Sequence, residues 1–241
     1  MKHEDTGRRA FLRAAGLSVA SLALSACDSG GPARAGRALR FAERWNERIE
    51  RRLVRHSRLD RGAPGAAIAG DAFPSYYVSE QVPVWNAAAR GAWRLQVGGL
   101  VERPISFTLD DLIRRLPRTQ QRVSHFCVEG WTAVAEFTGV QVRALADLVH
   151  PLPSAQCVDF RSFDDDYHES WDLESALHPQ TLVVYAKDSA LLTPAYGAPA
   201  RVHSPVKLGY KNTKYLTRVD FLPAPNGGYW SDAGYEWFGG T

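Results

Sequence analysis

The sequence predicts an α+β fold, with one compact domain over residues 61–241. Three observations predict it. Beyond residue 93, short strand-like and helix-like runs follow one another in mixed order, with no repeating βαβ beat and no internal repeat. The hydrophobic share, 45% of 241 residues, is that of a globular chain able to bury a substantial core. No run after the first thirty residues is long and apolar enough to span a bilayer.

Residues 1–26 read as an address. Gly7-Arg8-Arg9-Ala10-Phe11-Leu12-Arg13 followed by an apolar run over 14–26 has the form of a twin-arginine export signal, with Gly7 where Ser or Thr is usual. An ordinary secretory signal with two arginines is the alternative. The run closes on Leu24-Ser25-Ala26-Cys27, a lipobox pattern that would leave Cys27 as a lipidated N-terminus, whereas ordinary cleavage would leave it unmodified. The expected location is the periplasmic side of the bacterial inner membrane, with Asp28 as a retention mark. The twin-arginine route carries folded proteins, so the address itself predicts a buried prosthetic group.

Residues 27–60 read as a linker, over 28–37, followed by a basic amphipathic helix. Phe41, Trp45, Ile49 and Leu53 recur every fourth residue, while Arg44, Arg48, Arg51, Arg52 and Arg55 lie largely elsewhere. The pattern suggests a packed helix with a solvated basic face. Contact with anionic lipid, worth about 1 kcal/mol per basic residue, is the alternative.

In the body, residues 93–101 predict a strand bent at Gly98-Gly99. Thr108 with Asp111 forms a capping-box start, so a short helix should run on and stop before Pro117. A strand is expected over 121–128 with Cys127 at its end. A second helix is expected within 139–149, with Val142, Leu145, Ala146 and Val149 on one face. Strands are expected over 155–163, 181–187 and 217–222, and a helical turn over 173–177.

The net charge of +3 comes without a basic stripe interleaved with aromatics, which argues against a nucleic-acid partner. Of the three cysteines, Cys27, Cys127 and Cys157, none forms a Cys-x-x-Cys, haem-attachment or zinc-type spacing. Cys157 lies in a predicted strand and is expected to be buried and inert. Cys127 lies in Ser124-His125-Phe126-Cys127-Val128-Glu129-Gly130-Trp131. A thiolate there suits a soft or high-valent transition metal, although a lone strand-end cysteine is more often a buried structural residue.

The run Cys127-Val128-Glu129-Gly130-Trp131, followed by Phe137-Thr138-Gly139-Val140-Gln141-Val142, resembles the bacterial sulfite oxidase family of molybdopterin enzymes. The likeness continues through Glu169-Ser170-Trp171-Asp172-Leu173, His178-Pro179-Gln180-Thr181-Leu182, Gly197-Ala198-Pro199 and Leu208-Gly209-Tyr210-Lys211. It ends with Gly227-Gly228-Tyr229-Trp230 and Gly234-Tyr235-Glu236-Trp237. Several spaced motifs in order are far more specific than any one. The resemblance implies a sulfite-oxidase-type mixed-sheet fold in which residues 61–241 bind molybdenum–molybdopterin, the metal held by the thiolate of Cys127.

The resemblance also implies the pocket. Ser75, Tyr76 and Tyr77 match a stretch that closes over the pterin, and Ser162 matches a small hydroxyl position. Arg201 matches a pocket arginine, and Asn212, Thr213 and Lys214 match the turn that holds the terminal phosphate. Tyr196 departs from the family pattern. A guanidinium, an ammonium and main-chain N–H groups suit an anionic phosphate. Lys207 reads as a solvated base. His125, two residues before Cys127, is a candidate proton carrier or a plain neighbour. Glu129 either lies near the metal or caps the turn. The acidic run 164–166 reads as a metal site or a solvated loop at the pocket rim, where Tyr167 or His168 could meet substrate. The aromatic tail from Tyr229 to Phe238 reads as a lid on the core or a docking surface.

The implied activity is transfer of an oxygen atom and two electrons to or from a small sulfur substrate, sulfite or a sulfoxide. The electrons pass through a separate c-type or membrane b-type cytochrome, since the chain has no haem or iron–sulfur ligand pattern. A sulfite site would gather arginines, with Arg122 and Arg161 as candidates. Two further possibilities are a non-catalytic exported lipoprotein on the same fold and a thiol enzyme using Cys127 with His125.

Overall fold

The computed structural model describes residues 33–53, 59–62, 73–164 and 166–241. The export and lipobox motifs lie outside the described residues. The chain divides into two units, Met1–Ile49 and Glu50–Thr241. Helix α1 (Ala33–Leu53) begins inside the segment expected to be linker and carries Phe41, Trp45, Ile49 and Leu53 at the fourfold spacing of one face. A stripe at fourfold spacing satisfies the helix period, but burying it needs a partner surface that periodicity does not reveal.

In the second unit, a one-turn helix α2 (Ala87–Arg90) precedes the first sheet. That sheet runs β2 (Ile105–Thr108), β1 (Arg94–Gly99), β10 (Leu216–Leu222), β5 (Cys157–Ser162), β6 (His168–Asp172) in spatial order. Only β1 and β10 pair in parallel; the other neighbours are antiparallel. The second sheet runs β3 (Thr119–Phe126), β4 (Thr132–Gln141), β7 (Leu182–Lys187), β8 (Ala190–Leu191), and β9 (Arg201–His203) also pairs with β7. Two mixed or antiparallel sheets with short helices make the fold α+β, as the element order predicts.

The locally encoded elements form as expected. Helix α3 (Leu109–Arg114) is closed by the full Thr108–Asp111 capping box. Helix α4 (Val142–Val149) buries Val142, Leu145, Ala146 and Val149, the i, i+3, i+4, i+7 face. Each large side chain among them contributes about 1.5–3 kcal/mol by leaving water. Helix α5 (Leu173–Ala176) takes its N-cap from Asp172, which accepts the Ser175 N–H at 2.8 Å. A last short helix, α6 (Tyr229–Asp232), follows β10. Cys157 is buried, as expected.

Two boundaries differ from the sequence reading. Strand β3 ends at Phe126, so Cys127 is the first residue beyond it. Residues 139–141 belong to β4 rather than to the helix, and β2, β4, β6, β8 and β9 have no counterpart among the predicted strands. In β4 almost every residue after Thr132 is buried. A strand covered on both faces loses the period-2 alternation by which strands are read.

Strand β7 is also buried throughout. Val183 and Tyr185 join the larger core with Leu95, Val158 and Trp171, while Leu182 and Val184 join a second core with Phe73, Val123 and Phe137. Gly139 lets β4 approach β7 closely: a Cβ there would meet Val183 O at 2.2 Å, at a point where the β4–β7 register shifts. Gly139→Ala should therefore cost about 1–3 kcal/mol of overpacking strain. A drop in Tm of roughly 4 °C or more is expected in thermal unfolding; an unchanged Tm would show that the strands part freely.

Candidate active site

Cys127 opens the turn of the β3–β4 hairpin. Its N–H donates to Trp131 O at 2.9 Å and its carbonyl accepts the Gly130 N–H at 3.0 Å. Gly130 has φ +87°, the left-handed region that closes a bulged hairpin and that a glycine enters without strain. The turn thus fixes the thiol by main-chain geometry. Its Sγ lies 3.8 Å from Glu129 Oε2, which also accepts Trp131 Nε1–H at 3.0 Å and Tyr76 O–H at 3.3 Å. Burial, reinforced by the Glu129 carboxylate, raises the thiol's pKa. A metal taking this sulfur therefore displaces a proton.

The thiol lines a cavity of about 450 Å³. Its buried end is cationic. In β9 alternate residues take opposite faces, so Val202 joins the core while Arg201 and His203 turn the other way. Arg201 is 4% exposed, and its guanidinium donates to Asn212 O at 3.1 Å, with longer contacts to Val202 O and Tyr196 O. Lys214 Nζ donates to Ser75 Oγ at 2.9 Å, Ala195 O at 2.9 Å and Tyr76 O at 2.5 Å. All these acceptors are uncharged. Burial lowers the pKa of Arg201 to about 10. Burial and the neighbouring Arg201 lower that of Lys214 to about 6, so near neutral pH its amine becomes a full cation when an anion sits beside it.

Tyr215 Oη, on a residue lining the cavity, and Thr213 Oγ1, on the residue before Lys214 and outside the lining, are buried without a hydrogen-bond partner among the described residues. An orphaned Tyr215 hydroxyl in a cavity lined by Arg201 and Lys214, neither of which forms an ion pair among the described residues, is what an absent polar anion would leave. Asn212 contributes differently. Its side chain is engaged by the scaffold, accepting Ser204 N–H at 2.7 Å and donating to Lys207 O and Leu208 O. Its carbonyl holds Arg201. Ser162 lines the cavity, and its Oγ accepts the Asp164 N–H at 2.9 Å.

Residues 73–79 cross the cavity as a strap pinned at two points. Lys214 holds Ser75 and Tyr76. Asp164, 3% exposed, accepts the N–H groups of Val78 at 3.0 Å and Ser79 at 3.2 Å, and bonds Ser79 Oγ. So the first residue of the acidic run anchors the strap. Tyr77 is exposed on this strap and lines the cavity. Tyr196 departs from the family pattern yet is placed in the second core, with its Oη donating to Phe73 O at 2.9 Å.

His125 lines the cavity and is 8% exposed, with Nδ1 3.3 Å from His203 Nε2. Burial, then the charges of Arg201 and Lys214, lower its pKa to about 3, so the ring is neutral at ordinary pH. His203 is fully buried against Phe137, ring centroids 4.0 Å apart, and its Nδ1 has no partner among the described residues. His203, Asp164 and Tyr215 went unnoticed as site residues or were misread. Their signal is alternation in a three-residue strand for His203 and packing against distant segments for Asp164 and Tyr215, neither visible locally.

The open end is aromatic. Tyr76, Trp131, Tyr229, Trp230 and Tyr235 line it, with Tyr167 stacked on Tyr229 at 5.4 Å. The tail from Tyr229 to Phe238 is fastened from beneath. Glu169 accepts Trp230 N–H at 2.9 Å, Ser231 O–H at 3.2 Å and Lys211 Nζ at 2.5 Å, both members of the ion pair being fully buried. Lys207, read from sequence as a solvated base, is 1% exposed and pairs with Asp172 at 2.7 Å. Arg122 and Arg161, the candidate sulfite ligands, do not line the cavity; Arg161 pairs with Asp159 at 2.8 Å. Among the described residues Arg201 is the one arginine that lines it. His168 also turns to Asp159, at 2.9 Å.

A two-sheet α+β domain with a thiol at the mouth of a cation-ended cavity defines a class. Residues 80–230 match the family model for the oxidoreductase molybdopterin-binding domain, and the chain belongs to that family of molybdopterin oxidoreductases. A provisionally named protein-methionine-sulfoxide reductase subunit YedZ1 of Azospira oryzae is 37% identical over 99% of this chain and 89% of its own length. The protein-methionine-sulfoxide reductase catalytic subunits MsrP of Ralstonia nicotianae and Campylobacter jejuni are 31% and 27% identical. Each aligns with 54% of this chain, and the aligned part spans 44% and 48% of their lengths. The sulfane dehydrogenase SoxCD of Paracoccus pantotrophus shares the fold, with a TM-score of 0.52 and 22% identity over 56% of this chain and 39% of that one.

Proposed function

We propose that this protein is an exported molybdenum oxidoreductase that reduces sulfoxides, methionine sulfoxide among them, with electrons from a cytochrome partner. One observation carries the direction. The cavity's cations, Arg201 and Lys214, sit at its buried end, while the open end beside Cys127 is ringed by aromatic side chains and gathers no arginines. A sulfite dianion calls for charged donors at the reacting end. A sulfoxide is neutral, with an apolar thioether body that aromatic faces and sulfur–aromatic contacts suit. The names of the similar MsrP chains support the same substrate class.

The residues fit the cofactor. Cys127 would hold the metal through its thiolate. Arg201, Lys214 and the Thr213 hydroxyl would hold the terminal phosphate, with Ser75, Ser162 and Tyr215 beside the pterin. When bound, molybdenum–molybdopterin exchanges an oxygen atom and two electrons with a sulfur lone pair. The chain's own residues orient and exclude. Glu129 draws Trp131 and Tyr76 together beside the thiol, and the aromatic rim borders the partly exposed sulfur. His125, held neutral by burial and its cationic neighbours, acts as a hydrogen-bonding group rather than a charged acid. The twin-arginine pattern before residue 27 supports export, and lipid on Cys27 would keep the enzyme near a membrane partner.

The test is a comparison of the two directions with artificial electron carriers. A methyl sulfoxide should be reduced with a kcat/KM at least about a hundredfold above that for sulfite oxidation, matching the loss of one or two charged hydrogen bonds to the dianion. Faster sulfite oxidation would overturn the proposed direction.

A further inference from the structure

A second concavity, an open groove of about 700 Å³, lies on the other side of the cavity wall. Ser162 lines both, so the wall there is a single residue layer thick. The groove carries Arg90, Arg94 and Arg218 and, among the described residues, one lining acid, Asp166. Arg218 is held by Asp220 at 2.9 Å. Arg94 binds Ser106 through Oγ and the carbonyl, at 2.7 and 3.0 Å, and Arg90 lies over the rings of Trp85 and Phe163 at 5.7 and 5.8 Å. Among the described residues, neither Arg90 nor Arg94 forms an ion pair, although Asp111 lies near enough to Arg94 to feel its charge.

Aromatic rings cross the wall at this point. Tyr215 lines the inner cavity and packs on Phe163 with centroids 5.4 Å apart. Phe163 packs on Trp85 at 5.2 Å, and Phe163 and Trp85 both line the groove. Unbroken van der Waals contact thus runs from the phosphate-and-pterin end of the cavity to a basic surface. The substrate mouth, with Cys127 and Tyr235, is not part of that surface.

We propose that this groove is the docking face for an acidic one-electron carrier protein, and that Tyr215, Phe163 and Trp85 form the packed path by which electrons cross the wall. The assignment rests on the oxidoreductase function proposed above. Reducing a sulfoxide to a thioether and water takes two electrons and two protons. Two molecules of reduced carrier each give up one electron per turnover, and the protons come from solvent. Separate faces for carrier and substrate let a bulky sulfoxide occupy the mouth while the carrier exchanges at the groove. Opposite charge on the two partners speeds their encounter and makes it salt-dependent.

The experiment uses the full, cofactor-loaded chain with two electron donors, reduced benzyl viologen and a reduced acidic c-type cytochrome. Arg90→Glu/Arg94→Glu should lower the second-order rate constant with the cytochrome at least about tenfold at low salt, and flatten its dependence on ionic strength. The viologen rate should stay within twofold. Arg90→Glu alone, which leaves the Arg94–Ser106 contacts in place, should show a smaller loss of the same kind. Quenching of tryptophan fluorescence on cytochrome binding, smaller in Trp85→Phe, gives a readout independent of turnover. A cytochrome rate and affinity insensitive to charge reversal would overturn the assignment, as would a parallel fall with viologen. Failure of wild-type enzyme to turn over with viologen would instead sink the oxidoreductase function, while the binding measurement still decides whether the groove docks an acidic protein.

Discussion

Cys127→Ala should abolish turnover, with kcat/KM falling by at least about three orders of magnitude, as expected when a reacting metal loses its protein ligand. The fold should survive. The hairpin turn at this position is held by the Cys127 main chain and by Gly130, neither of which the substitution changes. The side chain is only partly buried, so removing its sulfur opens no large void. The measurement pairs metal content with thermal unfolding. Lost activity and metal with a Tm within about 3 °C of wild type identifies a ligand. A variant that keeps molybdenum and activity would remove Cys127 from the centre.

Arg201→Met separates a cofactor-binding cation from a structural one. In the ligand-free protein the guanidinium is buried against uncharged oxygens, and a charge so placed is held at a desolvation cost of several kcal/mol. Its removal should leave the ligand-free Tm unchanged or raised. Loading should behave oppositely. Losing a charged, bidentate partner to a phosphate weakens binding by about 2–5 kcal/mol, a loss of roughly 30-fold or more. Pterin released from purified protein and measured by its fluorescence should fall accordingly. A variant that unfolds early yet retains its pterin would make Arg201 a structural residue.

Local features were legible because neighbours in sequence determine them. The Thr108–Asp111 capping box and the apolar face of α4 need no information from elsewhere in the chain. Strand β4 was not legible, because two packed sheets bury both its faces and erase the alternation. The same limit acts on charge. Lys207 reads as solvated because its partner, Asp172, lies 35 residues earlier on another strand. Within the pocket, motif residues such as Arg201 and Lys214 were visible as types in a pattern. That Asn212 engages the scaffold with its side chain depends on how its own loop folds back, and that Tyr215 lines the cavity depends on contacts between distant segments.

The two-faced burial of β7 has a consequence for cooperativity. One strand supplies side chains to both apolar cores, so neither core can open without stripping the other of Val183 and Tyr185 or of Leu182 and Val184. Residues 73–241 are thereby coupled as one unfolding unit rather than two sheets that melt separately. Strand β9, which carries Arg201, pairs directly with β7. Free energy gained by filling the cavity is thus shared by the entire domain, and the unfolding of either sheet would release the cofactor.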